Sequence, residues 1–505
     1  MANSSDIANR TPIIISLMLA TLMTTLDSTI ANVALPHIEG SVGAAPDQIT
    51  WVLTSYIIAT AIMIPLSGWL SVKVGRKLLF IISIAGFTGA SMLVGISTSV
   101  SQIVVFRFLQ GLFGAALMPL SQAVMLDLYP PNRYGQVMAV WGAAVILGPI
   151  FGPILGGWIT DNFTWRWCFY INVPIGILAT AGILLFMSGK RSRQARPFDF
   201  LGFGALTGFV GSFQLIVDRG PSQDWFSSTE IRIYGVIAAI SFWIFLVQTI
   251  TAKHPFFDRA LAKDRNFITS TVFGFAIGIV LFATMALLPP MTQQLMGYSA
   301  FESGVVLMPR GIGSFISMFI VGRLIGKIDT RLILLSGLAL CTVAMWQMSH
   351  FSLLMGNMPI IISGLIQGLG IGLIFVPLST IAYATLAARL RPDGTAIYTL
   401  VRNLGSSIGI SIMQALWTSN TAVAHATLAS KLSLANPVDR ATLGPMLHPG
   451  TAMDVLNGEV TRQAAMVAYV DDFRLMMIGF LVMLPLLAIM QTPKLSSGVV
   501  DAVAE

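Results

Sequence analysis

The chain is a succession of apolar runs, each about the length of one membrane crossing, separated by short polar stretches. Only 10% of its residues are charged and 55% are hydrophobic, with a mean hydropathy of +0.80. A soluble globular chain carries about 25% charged residues, so this pattern points to a bundle of membrane helices. Spans are expected near 11–32, 50–71, 78–98, 103–126, 137–159, 165–187, 199–218, 231–250, 267–289, 303–322, 332–350, 359–385, 397–417 and 474–492, about fourteen in all. The seventh and eighth flank the polar stretch Asp218–Glu230, and Ser419–Asp472 reads as a polar outward loop with some helix. Met1–Arg10 lacks the charged start and cleavage site of a signal peptide, so the first helix is read as uncleaved.

The net charge of +7 is distributed in short clusters between spans, which argues against nucleic acid as a partner. With the N-terminus cytoplasmic, the inward loops carry Lys73, Arg76 and Lys77; Arg133; Lys190, Arg191, Arg193 and Arg196; Lys253, Arg259, Lys263 and Arg265; Arg323, Lys327 and Arg331; Arg389 and Arg391. The outward loops before residue 160 carry His37, Glu39 and Asp47 and no Lys or Arg. That alternation implies an even number of spans and a cytoplasmic C-terminus. Cys168 and Cys341 both fall in apolar stretches, so neither a disulfide framework nor a metal site is expected.

A repeat runs through the chain. Gly68–Leu79 aligns without gaps on Gly322–Ile333, and Gln110–Gly114 followed by Pro119–Ser121 echoes Gln367–Gly372 followed by Pro377–Ser379. Six spans then form each half, with a two-helix insert between them. The expected units are 1–189, an insert at 190–262, and 263–505 with the outward loop at about 419–472. Two parallel six-helix halves around a midplane site are the architecture of alternating-access transporters.

Asp27 is the one acid deep in an early span, where a charge costs about 2.5–3.5 kcal/mol on insertion scales. It suits a proton carrier; the competing reading is a structural carboxylate hydrogen-bonded to Thr24, Ser28 or another helix. Its counterpart region, Leu281–Thr284, has no acid, so the fold does not require one. Arg107, whose counterpart lies near Gly364, either couples to Asp27 or substrate, or snorkels outward.

Gly148, Gly152 and Gly156 share one helix face with Gly157 beside them, and Pro149 and Pro153 each remove a backbone donor. This helix is read both as tightly packed and as a pliable seal between the halves. Gly68, Gly75, Arg76, Lys77 and Asp127 would meet at the cytoplasmic face, as a latch or as a topology signal. Arg310 is expected to snorkel rather than bind anions, and Asn32, Tyr56 and Gln122 complete the residues considered for a substrate cavity with it. No G-x-x-x-x-G-K-[ST] loop or H-E-x-x-H set is present, so neither a P-loop ATPase nor a visible catalytic cluster powers the chain.

Together these motifs resemble the major facilitator superfamily, specifically the fourteen-helix drug:proton antiporters of the EmrB/QacA type. Leu26–Pro36 is similar to the first-span signature of that family, Arg107 with Gly111 to its fourth-span motif, Gly148–Gly157 to its antiporter motif, and Trp165–Gly176 to the start of its sixth span. The chain departs from the family's loop motif at Val72, where an acid is usual. The resemblance implies an all-α inner-membrane antiporter that expels small amphipathic compounds against H+ by alternating access, without a cofactor. It also implies a periplasmic adaptor and an outer-membrane channel as partners in a Gram-negative cell. A same-fold exporter of one metabolite, siderophore or lipid is the alternative, and a membrane-embedded enzyme or sensor a remote one.

Overall fold

The computed structural model describes residues 9–189, 197–431 and 452–490. Among these residues are fourteen long helices. They are α1 (Arg10–Val42), α2 (Trp51–Lys73), α3 (Arg76–Ile96), α4 (Val100–Leu128), α5 (Pro131–Asn162), α6 (Trp167–Phe186), α7 (Phe200–Arg219), α8 (Thr229–Thr251), α9 (Arg265–Leu295), α10 (Ala300–Leu324), α11 (Thr330–Met348), α12 (Asn357–Ala384), α13 (Arg391–Lys431) and α14 (Ala452–Val482). The first twelve are long and apolar enough to cross a membrane. Short connections carry the expected helix-start chemistry. The side chains of Ser99, Asp264 and Asp329 each cap a helix N-terminus, and Ser299 and Glu302 form a capping box. Gly75, at φ 93°, makes the turn from α2 into α3, a backbone conformation that glycine adopts without strain.

Helices α1 to α6 pack mainly on one another, as do α9 to α14, and the two sets meet along α5–α10 and α2–α13, with α5–α12 and α4–α13 between. The insert is unequal. Helix α7 packs on α2 and α13, whereas α8 rests chiefly on α7 and buries only Ile231 and Ala238. Its Ile233, Val236, Trp243 and Ile250 are exposed, as suits a lipid-facing helix.

The end of the chain differs from expectation. Residues 419–431 continue α13 and residues 452–472 begin α14, with His425 hydrogen-bonded to Asn457 at 2.9 Å; residues 432–451 lie outside the described residues. The helix that overlaps the crossing expected at 474–492 starts earlier, at Ala452, and its Ala464, Ala468, Tyr469, Asp472, Phe473, Met476 and Phe480 all face the core. Asp471, Asp472 and Arg474 lower the local hydropathy, yet Asp471 and Arg474 pair at 3.1 Å and Asp472 lies on the packed side. Packing therefore makes long helices of a stretch expected to be an outward loop with only some helix. The basic residues at 190–196 and residues 491–492 also lie outside the described residues.

Candidate functional site

Asp27 is fully buried at mid-length in α1. The neighbouring hydroxyls do not serve it: Thr24 donates to the Thr21 carbonyl and Ser28 to that of Thr25. Its partners come from other helices. Arg107 Nη1 of α4 donates to Asp27 Oδ2 at 2.6 Å, while Gln110 Nε2 of α4 and Asn172 Nδ2 of α6 donate to Oδ1 at 2.8 and 2.9 Å. Both charged side chains have 0% exposure. Arg107 therefore does not snorkel.

A second layer orients these donors. Arg107 also donates to Gln110 Oε1 at 2.8 Å and from Nε to the Val52 carbonyl at 3.3 Å, and its guanidinium lies 4.4 Å from the Tyr56 ring. Asn172 contacts Ser91, which bonds the Phe169 carbonyl at 2.9 Å. Gly111 lets α2 approach, since a Cβ there would lie 2.9 Å from Ala59 Cβ. Five helices thus converge on one carboxylate, and the lock has loose ends: Arg107 Nη2 and Asn172 Oδ1 have no hydrogen-bond partner. A buried ion pair loses about 3–5 kcal/mol when one partner is removed. Gln110 and Asn172 lie within the matched motifs, but only the fold shows that both face Asp27.

Helix α5 seals the other side of α1. A Cβ on Gly148 would lie 2.6 Å from Thr25 Cβ, one on Gly152 2.7 Å from Thr29 Cβ, and one on Gly156 2.9 Å from Ile30. Thr29 donates to the Gly148 carbonyl at 3.1 Å across this seam. Gly157 instead faces Ala300 and Phe301 of α10, so α5 is wedged between α1 and the second set of helices. Pro149 and Pro153 lie inside the helix without breaking it.

At the end bearing the α2–α3 turn, Asp127 of α4 accepts from Arg76 and from Arg391 of α13, each at 2.5 Å. A Cβ on Gly68 would lie 2.7 Å from Asp393 Oδ1, so the last turns of α2 pack directly on the start of α13. The ion-pair cluster forms although Val72 stands where an acid is usual, because Arg391 supplies the contact across the halves. Lys77 is not part of it: its amine bonds the Leu184 carbonyl at 2.8 Å. Nothing in the sequence singled out Arg391 from other loop arginines.

The four residues considered for a substrate cavity do not come together. Asn32 is exposed and bonds Ser28's carbonyl, and Tyr56 belongs to the Asp27–Arg107 lock. Gln122 is buried between the halves, accepting from Tyr383 at 3.1 Å. Arg310 does not snorkel. It is 7% exposed, packed on Gly364 and Gly368 of α12, with Nε and Nη2 unpartnered.

Two six-helix sets joined by ion pairs, with a further ion pair buried in one of them, are consistent with a membrane transporter of two halves. The model of the Major Facilitator Superfamily matches residues 17–410, and the chain belongs to that superfamily. It is 36% identical over 485 residues to the Multidrug export protein EmrB of Escherichia coli K12, covering 95% of each chain. It is 35% identical over 474 residues to the protein of the same name from Haemophilus influenzae, covering 92% of this chain and 93% of that one. The fold is shared with the human organic anion transporter MFSD10 (TM-score 0.59, 14% identity, 95% and 100% of the two chains). It is shared likewise with the proton:xylose symporter XylE (TM-score 0.60, 13% identity, 95% and 96%).

Proposed function

We propose that this chain is a multidrug exporter that moves small amphipathic compounds out across the inner membrane in exchange for protons. Residues 1–189 and 263–505 rock against each other, and 190–262 is an accessory insert. The observation that carries this reading is the fully buried Asp27–Arg107 pair, with three donors from two other helices on the carboxylate. Ionised Asp27 ties α1 to α4 and α6. A proton arriving from the outside cancels the charge that holds Arg107, so the ties weaken and the α1–α5 seam is free to shift. Release of that proton inside restores the pair, and the proton gradient thereby drives export without a cofactor.

By the positive-inside rule the latch end is cytoplasmic, as are both termini. The Arg76–Asp127–Arg391 contact closes that side while the site exchanges protons outward. Helix α13, with 41 residues, is about 60 Å long, roughly twice the hydrocarbon core, so it extends beyond the bilayer on the other side. That extension is available to a periplasmic adaptor, which together with an outer-membrane channel we assign as the partners in a two-membrane envelope.

Dye efflux from everted vesicles, energised by a pH gradient, tests the coupling at matched expression. Asp27→Asn is expected to abolish gradient-driven efflux; export at the wild-type rate would remove Asp27 from the mechanism.

A further inference from the structure

The second set of helices buries two guanidinium groups, Arg310 and Arg402, and among the described residues neither has a carboxylate within ion-pair distance. Arg310 is enclosed within its own half, whereas Arg402 faces the other. It lies eleven residues into α13, about 17 Å from the start of the helix and so close to mid-depth. Arg402 is 5% exposed. Its Nη2 meets only the sulfur of Met118 on α4, at 3.9 Å, and Nε has no partner. A thioether is a weak acceptor, so this contact across the halves holds the guanidinium lightly.

The surroundings divide by polarity. Phe375 lies 5.4 Å from the guanidinium and is stacked on Trp141 at 5.9 Å, forming with Met118 an apolar wall contributed by both halves. One turn toward the latch, Tyr398 packs on Tyr383. The fold itself does not call for a cation here. Aligning Gly148 and Gly152 of α5 with Gly405 and Gly409 of α13, which pack on α1 and α9 in the same way, places Val145 opposite Arg402. A buried charge with no countercharge is costly, and an ionisable side chain kept at membrane depth is a candidate functional site.

We propose that Arg402 is the charge-selecting residue of the transport site, binding the carboxylate or sulfonate head of a monoanionic amphiphile whose tail lies on Met118, Phe375 and Trp141. Nε and Nη2 form one edge of the guanidinium, the edge that fits a carboxylate with two parallel hydrogen bonds. This rests on the export reading above, but binding to Arg402 can be measured without transport.

The probes are the anion 11-(dansylamino)undecanoate and the cation rhodamine 6G. In vesicles, Arg402→Met is expected to lower the anion-to-cation efflux ratio at least tenfold, and Arg402→Lys to keep it within about threefold of wild type. In detergent, wild-type protein is expected to bind the dansyl probe at least tenfold more tightly than Arg402→Met. An unchanged ratio together with unchanged binding would overturn the assignment. Loss of gradient-driven efflux in the wild type with the binding difference intact would sink the export reading and leave the site. Phosphatidylglycerol provides the same anionic chemistry from a lipid. If adding it at equimolar concentration displaces the probe from Arg402, the natural ligand is a headgroup and the substrate assignment falls.

Discussion

Asp27→Asn is nearly isosteric, whereas Arg107→Gln replaces the guanidinium with a shorter neutral amide, and their costs should differ. In Asp27→Asn, Arg107 loses its countercharge and is left with neutral acceptors, Gln110 Oε1, the Val52 carbonyl and the new amide oxygen, and a guanidinium cannot shed its charge. The expected loss is about 3–5 kcal/mol. Without Arg107, Asp27 retains the Gln110 and Asn172 donors and can take up a proton, so the loss should be smaller, about 1–3 kcal/mol. The double variant leaves no buried charge in the cluster and should recover much of the loss, giving a coupling of about 2–3 kcal/mol. Reversible unfolding of the purified protein in mixed micelles measures all four corners of the cycle at one pH. Costs that add to within about 0.5 kcal/mol would show that the two groups do not act as a unit, and the proton-switch argument would lose its basis.

Two further perturbations address the moving parts. Gly152→Val places branched carbons where Thr29 already sits, an overpacking cost of about 1–3 kcal/mol. Efflux should fall at least roughly tenfold with helical circular dichroism unchanged, and wild-type efflux would show that the seam tolerates separation. Asp127→Asn removes both latch pairs. Arg76 is 29% and Arg391 14% exposed, so solvent screening limits the effect to about 1–2 kcal/mol, a roughly tenfold shift toward opening. Hydrogen exchange over residues 391–396 should accelerate accordingly, whereas Lys77→Ala should leave it at the wild-type rate. Equal acceleration in both variants would mean that the loop's total charge, not the Asp127 contacts, closes that end.

The candidate residues were legible to different degrees. Asp27 and Arg107 stand out because a charge in an apolar run is expensive wherever the helix points. The glycines at 148, 152 and 156 are legible for the opposite reason, since their spacing defines a helix face without any knowledge of what meets it. Arg310, Arg391 and Arg402 could not be sorted from one another by position. One is enclosed, one bridges Asp127 and one faces the other half with almost no partner, and each role depends on which neighbour occupies the space beside it. The early start of the last long helix was not legible because Asp472 lowers the local hydropathy, while in the fold it lies on the packed face.

The linear pattern of apolar runs, basic loops and a repeated loop motif by itself determined a polytopic helical bundle of two related halves, because the bilayer forces every backbone polar group to be bonded within its own helix. Only the tertiary structure decided which charges are paired, because partners such as Asp27 and Asn172 lie 145 residues apart in the chain and meet only when three helices pack.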